Sequence, residues 1–246
     1  MEQYFTINYS GAPFALFDSK HLAALGLIAL IGLSFIAARK LWGEEAKRNF
    51  RYFLAGWLVF WEISWHILNL VWGTWTIQTM LPFHLCSVTV WLSVYLLINK
   101  TYSVFEVTYF LGIGGALQAL ITPDAGAYGF PHYRAFQTFA SHGGIVLASL
   151  YFAVVEGYRP TLKSFKRVVL WTNVYMVCVF FLNLAIGSNY LFIAYKPPFP
   201  TLLDVLAPWP WYILELEFVA FAILGAMYLP YLIMDLQRAR SQPVQT

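Results

Sequence analysis

The stretch "WLVFWEISWHILNLVWG", residues 57–73, carries only two ionisable groups, Glu62 and His66, among seventeen residues. The other residues are almost all apolar or aromatic, too many for a helix lying at a water interface. The segment reads as a helix in lipid. Glu62 and His66 lie four apart and share a helix face, which Asn69 continues three residues on. Ionisable groups inside a membrane helix are costly and by default mark function.

The rest of the chain has the same character. Of its 246 residues 60% are hydrophobic and 11% charged, against about 45–50% and about 25% in soluble domains. A membrane crossing needs roughly 20 mostly apolar residues. Seven segments qualify: 21–41, 52–73, 81–98, 104–121, 135–156, 168–187 and 211–233. The expected fold is all-α, a polytopic seven-transmembrane-helix bundle forming a single domain over 1–246. No internal repeat, polar linker or signal peptide is evident. The net charge of +3 is small and sits in short loops, so it reads as a topology signal and excludes a nucleic-acid footprint. Two cysteines do not make a disulfide framework.

Lys and Arg near the span ends fall twelve on one side and three on the other. The positive-inside rule places the twelve in the cytoplasm, the amino terminus outside and the carboxyl terminus inside. Two long loops then lie on the outer side, 122–134 and 188–210. The prolines of the second prevent one continuous helix, and it is expected to fold over or dip into the bundle.

Spans 2, 3 and 5 each bring a reactive group to one layer. His66, Cys86 and His142 all come out roughly 8–10 Å below the outer surface. Cys86 lies in "LPFHLC", residues 81–86, where Pro82 suits a first helical turn and the helix dipole mildly favours a thiolate. His84, two positions away, points about 200° from Cys86 on a helix. A base for Cys86 therefore comes from another helix, and His66 and His142 are both open. Gly143 and Gly144 beside His142, and the "GIGG" of residues 112–115, offer flat surfaces for close packing. Cys178, in "VYMVCVFF", has no polar company and reads as an apolar filler. Glu62 with His66 reads equally as a structural pair. His84 reads as a cap on a neighbouring carbonyl, and His132, in a loop, as solvated.

These residues carry a family resemblance. "LPFHLC", a histidine in span 5, and "NYLFIAYKPPFPTLLDVLAPWPWYI", residues 189–213, make the chain resemble the YwaF-like integral membrane proteins and their animal relative, an acyltransferase of ether phospholipids. The resemblance implies a catalytic pair with Cys86 as nucleophile and His142 as base.

The expected function is transfer of a fatty acyl chain between phospholipid and lysolipid through a Cys86 thioester. The site would open to the outer leaflet of the cell membrane, with phospholipids and lysolipids as partners and no cofactor or metal. Glu62 would orient His66. Asn69, Asn189 or Tyr190 would donate to the oxyanion, Lys196 would meet a lipid phosphate, and His84 would support the site. Three other readings stand beside it: a carrier or receptor without chemistry, a lipid-ester hydrolase on the same scaffold, and a metal or haem site built from His66, His84, His142 and Glu62. The residues leave oligomeric state open.

Overall fold

The architecture is that of a computed structural model, described over residues 2–197 and 202–241. It is all-helical, with no strand among the described residues. The chain forms two compact units, Met1–Tyr158 and Arg159–Thr246. The first holds α1 (Ser19–Leu41), α2 (Glu44–Val71), α3 (Leu85–Asn99), α4 (Tyr102–Val107), α5 (Ile113–Ile121) and α6 (Tyr133–Val154). A π-helical turn, Thr108–Gly112, joins α4 to α5. The second unit holds α7 (Leu162–Ile186) and α8 (Trp211–Ser241).

Five helical segments are long and apolar enough to cross a membrane: α1, α2, the continuous Tyr102–Ile121, α7 and α8. Four of them, α1, α2, α7 and α8, expose most of their apolar side chains, Leu30 at 67% and Phe218 at 79%, while Tyr102–Ile121 is largely buried. In water such surfaces would associate, whereas in lipid they meet their own kind. The other two of the seven expected spans differ. α3 has 15 residues, about 22 Å of helix against a hydrocarbon core of about 30 Å. It begins at Leu85 because residues 81–84 form a turn, with Phe83 N–H donating to the Leu81 carbonyl. Pro82 thus precedes the helix and does not sit in its first turn. α6 is long enough, but Arg134, Gln137, Thr138, Ser141, His142 and Ser149 interrupt its apolar run.

α6 is the core of the first unit, packed by α1, α2, α3, α5 and the π turn. Its glycines make room for different partners. A Cβ on Gly143 would stand 2.8 Å from Ile28 of α1, and one on Gly144 2.7 Å from Leu58 of α2. A Cβ on Gly112 would meet Ile145 of α6 at 3.0 Å, and one on Gly115 would meet Leu85 at 3.0 Å and Cys86 Sγ at 3.9 Å. Gly112, Gly115, Gly143 and Gly144 thus each admit a separate neighbour and do not form one shared flat interface. The π turn leaves the Thr108 carbonyl accepting from Ser149 Oγ at 2.9 Å, which ties it to α6.

One end of this unit is held by charge. Lys100 Nζ lies 2.5 Å from Glu156, and Arg51 Nε 3.8 Å from the same carboxylate. Tyr151 OH donates to Glu156, Tyr158 OH to the Lys100 carbonyl, and Arg51 to the Leu97 carbonyl at 2.8 Å. These bonds join α2, α3 and α6 at a common level. At the other end the amino-terminal segment lies on the 122–132 loop. Phe14 N–H donates to the Gly126 carbonyl, Tyr128 OH to the Ile7 carbonyl, and Trp72 Nε1 to the Phe5 carbonyl.

In the second unit Thr161 and Ser164 form a capping box that starts α7. Asn183 near its end receives Ser188 Oγ and Tyr190 N–H and donates to the Tyr190 carbonyl. Part of the expected 188–210 loop, residues 198–201, lies outside the described residues.

Two consequences are testable. Glu156→Gln leaves Arg51 and Lys100 without their carboxylate. Lys100 is 36% exposed, so the loss falls below that of a fully buried pair, about 2 kcal/mol, and thermal unfolding in detergent is expected to shift down by several degrees; an unchanged midpoint contradicts the anchor. Gly115→Val pushes branched atoms against Leu85 and Cys86. In a Cys178→Ser background it is expected to slow alkylation of Cys86 by an apolar maleimide at least tenfold. Gly26→Ala, which meets open space, is expected to leave the rate unchanged, and equal rates in both variants refute the contact.

Candidate functional site

The anchored end sets the depth of the polar groups above it. Fourteen residues separate Cys86 from Lys100, and fourteen separate His142 from Glu156. At 1.5 Å per residue both stand about 21 Å from the Lys100–Glu156 pair. Eleven residues separate Arg51 from Glu62 and eleven separate Cys86 from Leu97, the residue whose carbonyl Arg51 holds. Glu62 therefore shares the level of Cys86, and His66 stands one turn beyond. Glu62 is within electrostatic range of Cys86 and of Arg134, and Arg134 within range of His142.

Cys86 is the second residue of α3 and partly accessible. Its Sγ makes no hydrogen bond among the described residues, so thiol and imidazole are not in direct contact. His142 is the partly accessible residue in a stretch of α6, Ser141 to Ser149, that is otherwise buried. Its Nδ1 meets the Thr138 carbonyl at 2.8 Å. A carbonyl only accepts, so Nδ1 carries the proton and Nε2 keeps its lone pair in the neutral ring.

His66 has the opposite tautomer. Trp75 Nε1 donates to its Nδ1 at 3.0 Å, so the ring proton sits on Nε2. That nitrogen lies 3.7 Å from Glu62 Oε1, beyond hydrogen-bond length but within ion-pair reach. Both ring nitrogens of His66 are thus oriented by Trp75 and Glu62. Asn69 closes the end of α2: its Nδ2 donates to the Trp65 carbonyl and its Oδ1 accepts from Thr74. His84 occupies the position before α3 and its side chain does not cap that helix.

The remaining expected residues lie in the second unit. Asn189 spends its amide on the backbone of Ala194 and Tyr195. Tyr190 is fully buried. Lys196 donates to the Leu206 carbonyl at 2.7 Å and lies over the Tyr212 ring. Each holds its own loop together.

Two histidines are structural. His132 is buried and not solvated; its Nδ1 accepts from Arg134 N–H to cap α6, and Nε2 meets the Thr6 carbonyl. Burial holds this imidazole below the usual histidine range, against the bond to Thr6, which pulls the other way. His21 accepts from Phe17 N–H and reaches the Leu120 carbonyl, tying α1 to α5. Among the described residues no three His, Cys, Asp or Glu side chains come together to hold a metal. A cavity of about 830 Å³ between α1, α2 and α6 is apolar, lined by residues such as Ile28, Trp57, Trp61 and Leu147. Gly143 and Gly144 border it; Cys86 and His142 do not.

The residue that sequence reading missed is Arg134. Counted there only as a loop charge, it is the second residue of α6. Its guanidinium lies over Trp65 at 4.3 Å and donates to Gln137 Oε1 at 2.5 Å. The signal was its position ten residues before "FASHGG" ends, on a helix whose start the apolar pattern placed at 135.

No curated protein and no solved structure matches the chain. The TMEM164 family profile matches residues 16–228, which take in part of both units and include Glu62, His66, Cys86, Arg134 and His142. The chain therefore belongs to the TMEM164 family, and it is an integral membrane protein by that membership and by its apolar helices.

Proposed function

We propose that the chain is a membrane-embedded acyltransferase that moves a fatty acyl chain between phospholipid and lysolipid, with Cys86 as nucleophile and His142 as base. The observation that carries this reading is the common level of the two residues, combined with a free Nε2 on His142. Resemblance to the YwaF-like proteins supports the same pair. Orientation by the positive-inside rule turns this end of the first unit outward, so the site would face the outer leaflet, where phospholipid esters lie just beneath the headgroups.

The chemistry balances with these two groups alone. His142 Nε2 takes the Cys86 proton, and the thiolate attacks the ester carbonyl. The carbon–sulfur bond forms, the ester carbon–oxygen bond breaks, and the lysolipid oxygen leaves with the proton from His142. The hydroxyl of a second lipid then gives its proton to His142 and attacks the thioester. Its oxygen takes the acyl group and the sulfur regains its proton. Catalytic hydrogen bonds are often long in substrate-free enzymes and tighten in the Michaelis complex, which accommodates the separation of sulfur and imidazole described above. Low water content favours transfer over hydrolysis.

Tautomer separates the two candidate bases. His66 presents Nε2–H to Glu62 and a spent Nδ1 to Trp75, so it has no lone pair to offer, whereas His142 does. His142→Ala is expected to lower acyl exchange between labelled phospholipid and lysolipid by about 10²–10⁴, and Cys86→Ala to abolish it. His66→Gln is expected to retain exchange within about tenfold. Normal turnover in both Cys86→Ala and His142→Ala would leave a carrier or receptor, and free fatty acid as the main product would make the protein a hydrolase.

A further inference from the structure

The geometry points to Arg134 as the seat of an anionic phosphate on the lipid substrate, outward of Cys86 and held open by Trp65 and Gln137. This inference rests on the lipid-ester reading for its substrate class, while its binding prediction stands without any turnover.

Among the described residues Arg134 makes no ion pair within 4 Å, and its one side-chain acceptor is the neutral Gln137. Glu62 and Asp124 are within electrostatic range of it but not in contact. An arginine at the start of a helix also opposes the helix dipole, whose positive end lies there. A cation in that place is favoured neither by the helix dipole nor by a carboxylate in direct contact. Its packing instead fixes the guanidinium: the Trp65 face supports its plane and Gln137 holds one edge, so the other donors stay available. Arginine presents five N–H donors in a rigid fork that suits phosphate oxygens in pairs.

Depth fits the ligand. Gln137 precedes His142 by five residues, about 8 Å along the helix. The guanidinium is therefore outward of the level shared by Cys86 and His142 by a distance comparable to the glycerol unit that separates a phosphate from its ester carbonyls. A lipid whose phosphate sits on Arg134 presents an ester toward Cys86. Asp124 and Glu62 lie within electrostatic range of the seat and disfavour a doubly charged anion, so a phosphodiester headgroup fits better than a phosphate monoester or inorganic phosphate.

Binding in nanodiscs tests this on the full chain with Cys86→Ala, which removes acyl transfer. Labelled lysophosphatidylcholine is compared with a monoacylglycerol of the same chain. The phosphodiester lipid is expected to bind at least tenfold tighter. Arg134→Gln is expected to erase that preference while the monoacylglycerol affinity stays within about twofold, and Arg134→Lys to keep part of it. Gln137→Ala, which frees the fork without removing the charge, is expected to keep the preference. A preference that survives Arg134→Gln overturns the seat. So does equal loss of both affinities in Arg134→Gln and Gln137→Ala, which marks a structural role. Displacement of the lysolipid by inorganic phosphate at equal concentration overturns the lipid assignment in favour of a free-anion site. No preference in the Cys86→Ala protein that keeps Arg134, while the unsubstituted chain exchanges acyl groups, refutes the seat alone; a preference there, while the unsubstituted chain exchanges none, refutes the enzyme reading alone.

Discussion

A carboxylate shared by two cations fixes the first unit. Glu156 accepts Lys100 and Tyr151 and attracts Arg51, while Arg51 also holds the end of α3 through the Leu97 carbonyl. Charges are expensive away from water, and pairing them is the least costly arrangement. Pairing also has a geometric effect. Helices rise by a constant 1.5 Å per residue, so clamping three of them at one end sets the height of every residue above the clamp. Cys86, Glu62 and His142, from three separated stretches of sequence, reach one level for that reason.

Above the clamp, hydrogen-bond direction assigns roles that composition cannot. His66 and His142 are chemically identical residues at similar depth. The Thr138 carbonyl places a proton on one nitrogen of His142, and the Trp75 indole removes the option from the corresponding nitrogen of His66. One ring then offers a lone pair and the other does not. Small residues determine access: Gly115 leaves space beside Cys86 Sγ that any larger side chain would fill.

Much of this was legible in the sequence, for identifiable reasons. Apolar runs of span length give helices, and an ionisable group in such a run stands out against its surroundings, as Glu62, His66, Cys86 and His142 did. What stayed hidden depends on contacts between distant segments. His132 looked like a solvated loop residue because its neighbours are polar and turn-forming; burial comes from the amino-terminal segment folded upon it, 126 residues away in sequence. Arg134 was read as a topology charge because the apolar pattern begins one residue later, while the helix itself begins at Tyr133. The short α3 escaped notice because an apolar turn and an apolar helix look alike in composition. The glycines were correctly singled out, but their partners, Ile28, Leu58, Ile145 and Leu85, are set by tertiary packing alone.

The central claim is that Cys86 carries the acyl group between two lipids. Purified protein incubated with isotopically labelled phospholipid, quenched in acid and digested, gives the direct measurement by mass spectrometry of the peptide containing Cys86. A labelled acyl thioester is expected on Cys86, released by neutral hydroxylamine and not accumulated by His142→Ala. Acyl exchange proceeding with Cys86 unmodified at every time point, or with the label on another side chain, would contradict it.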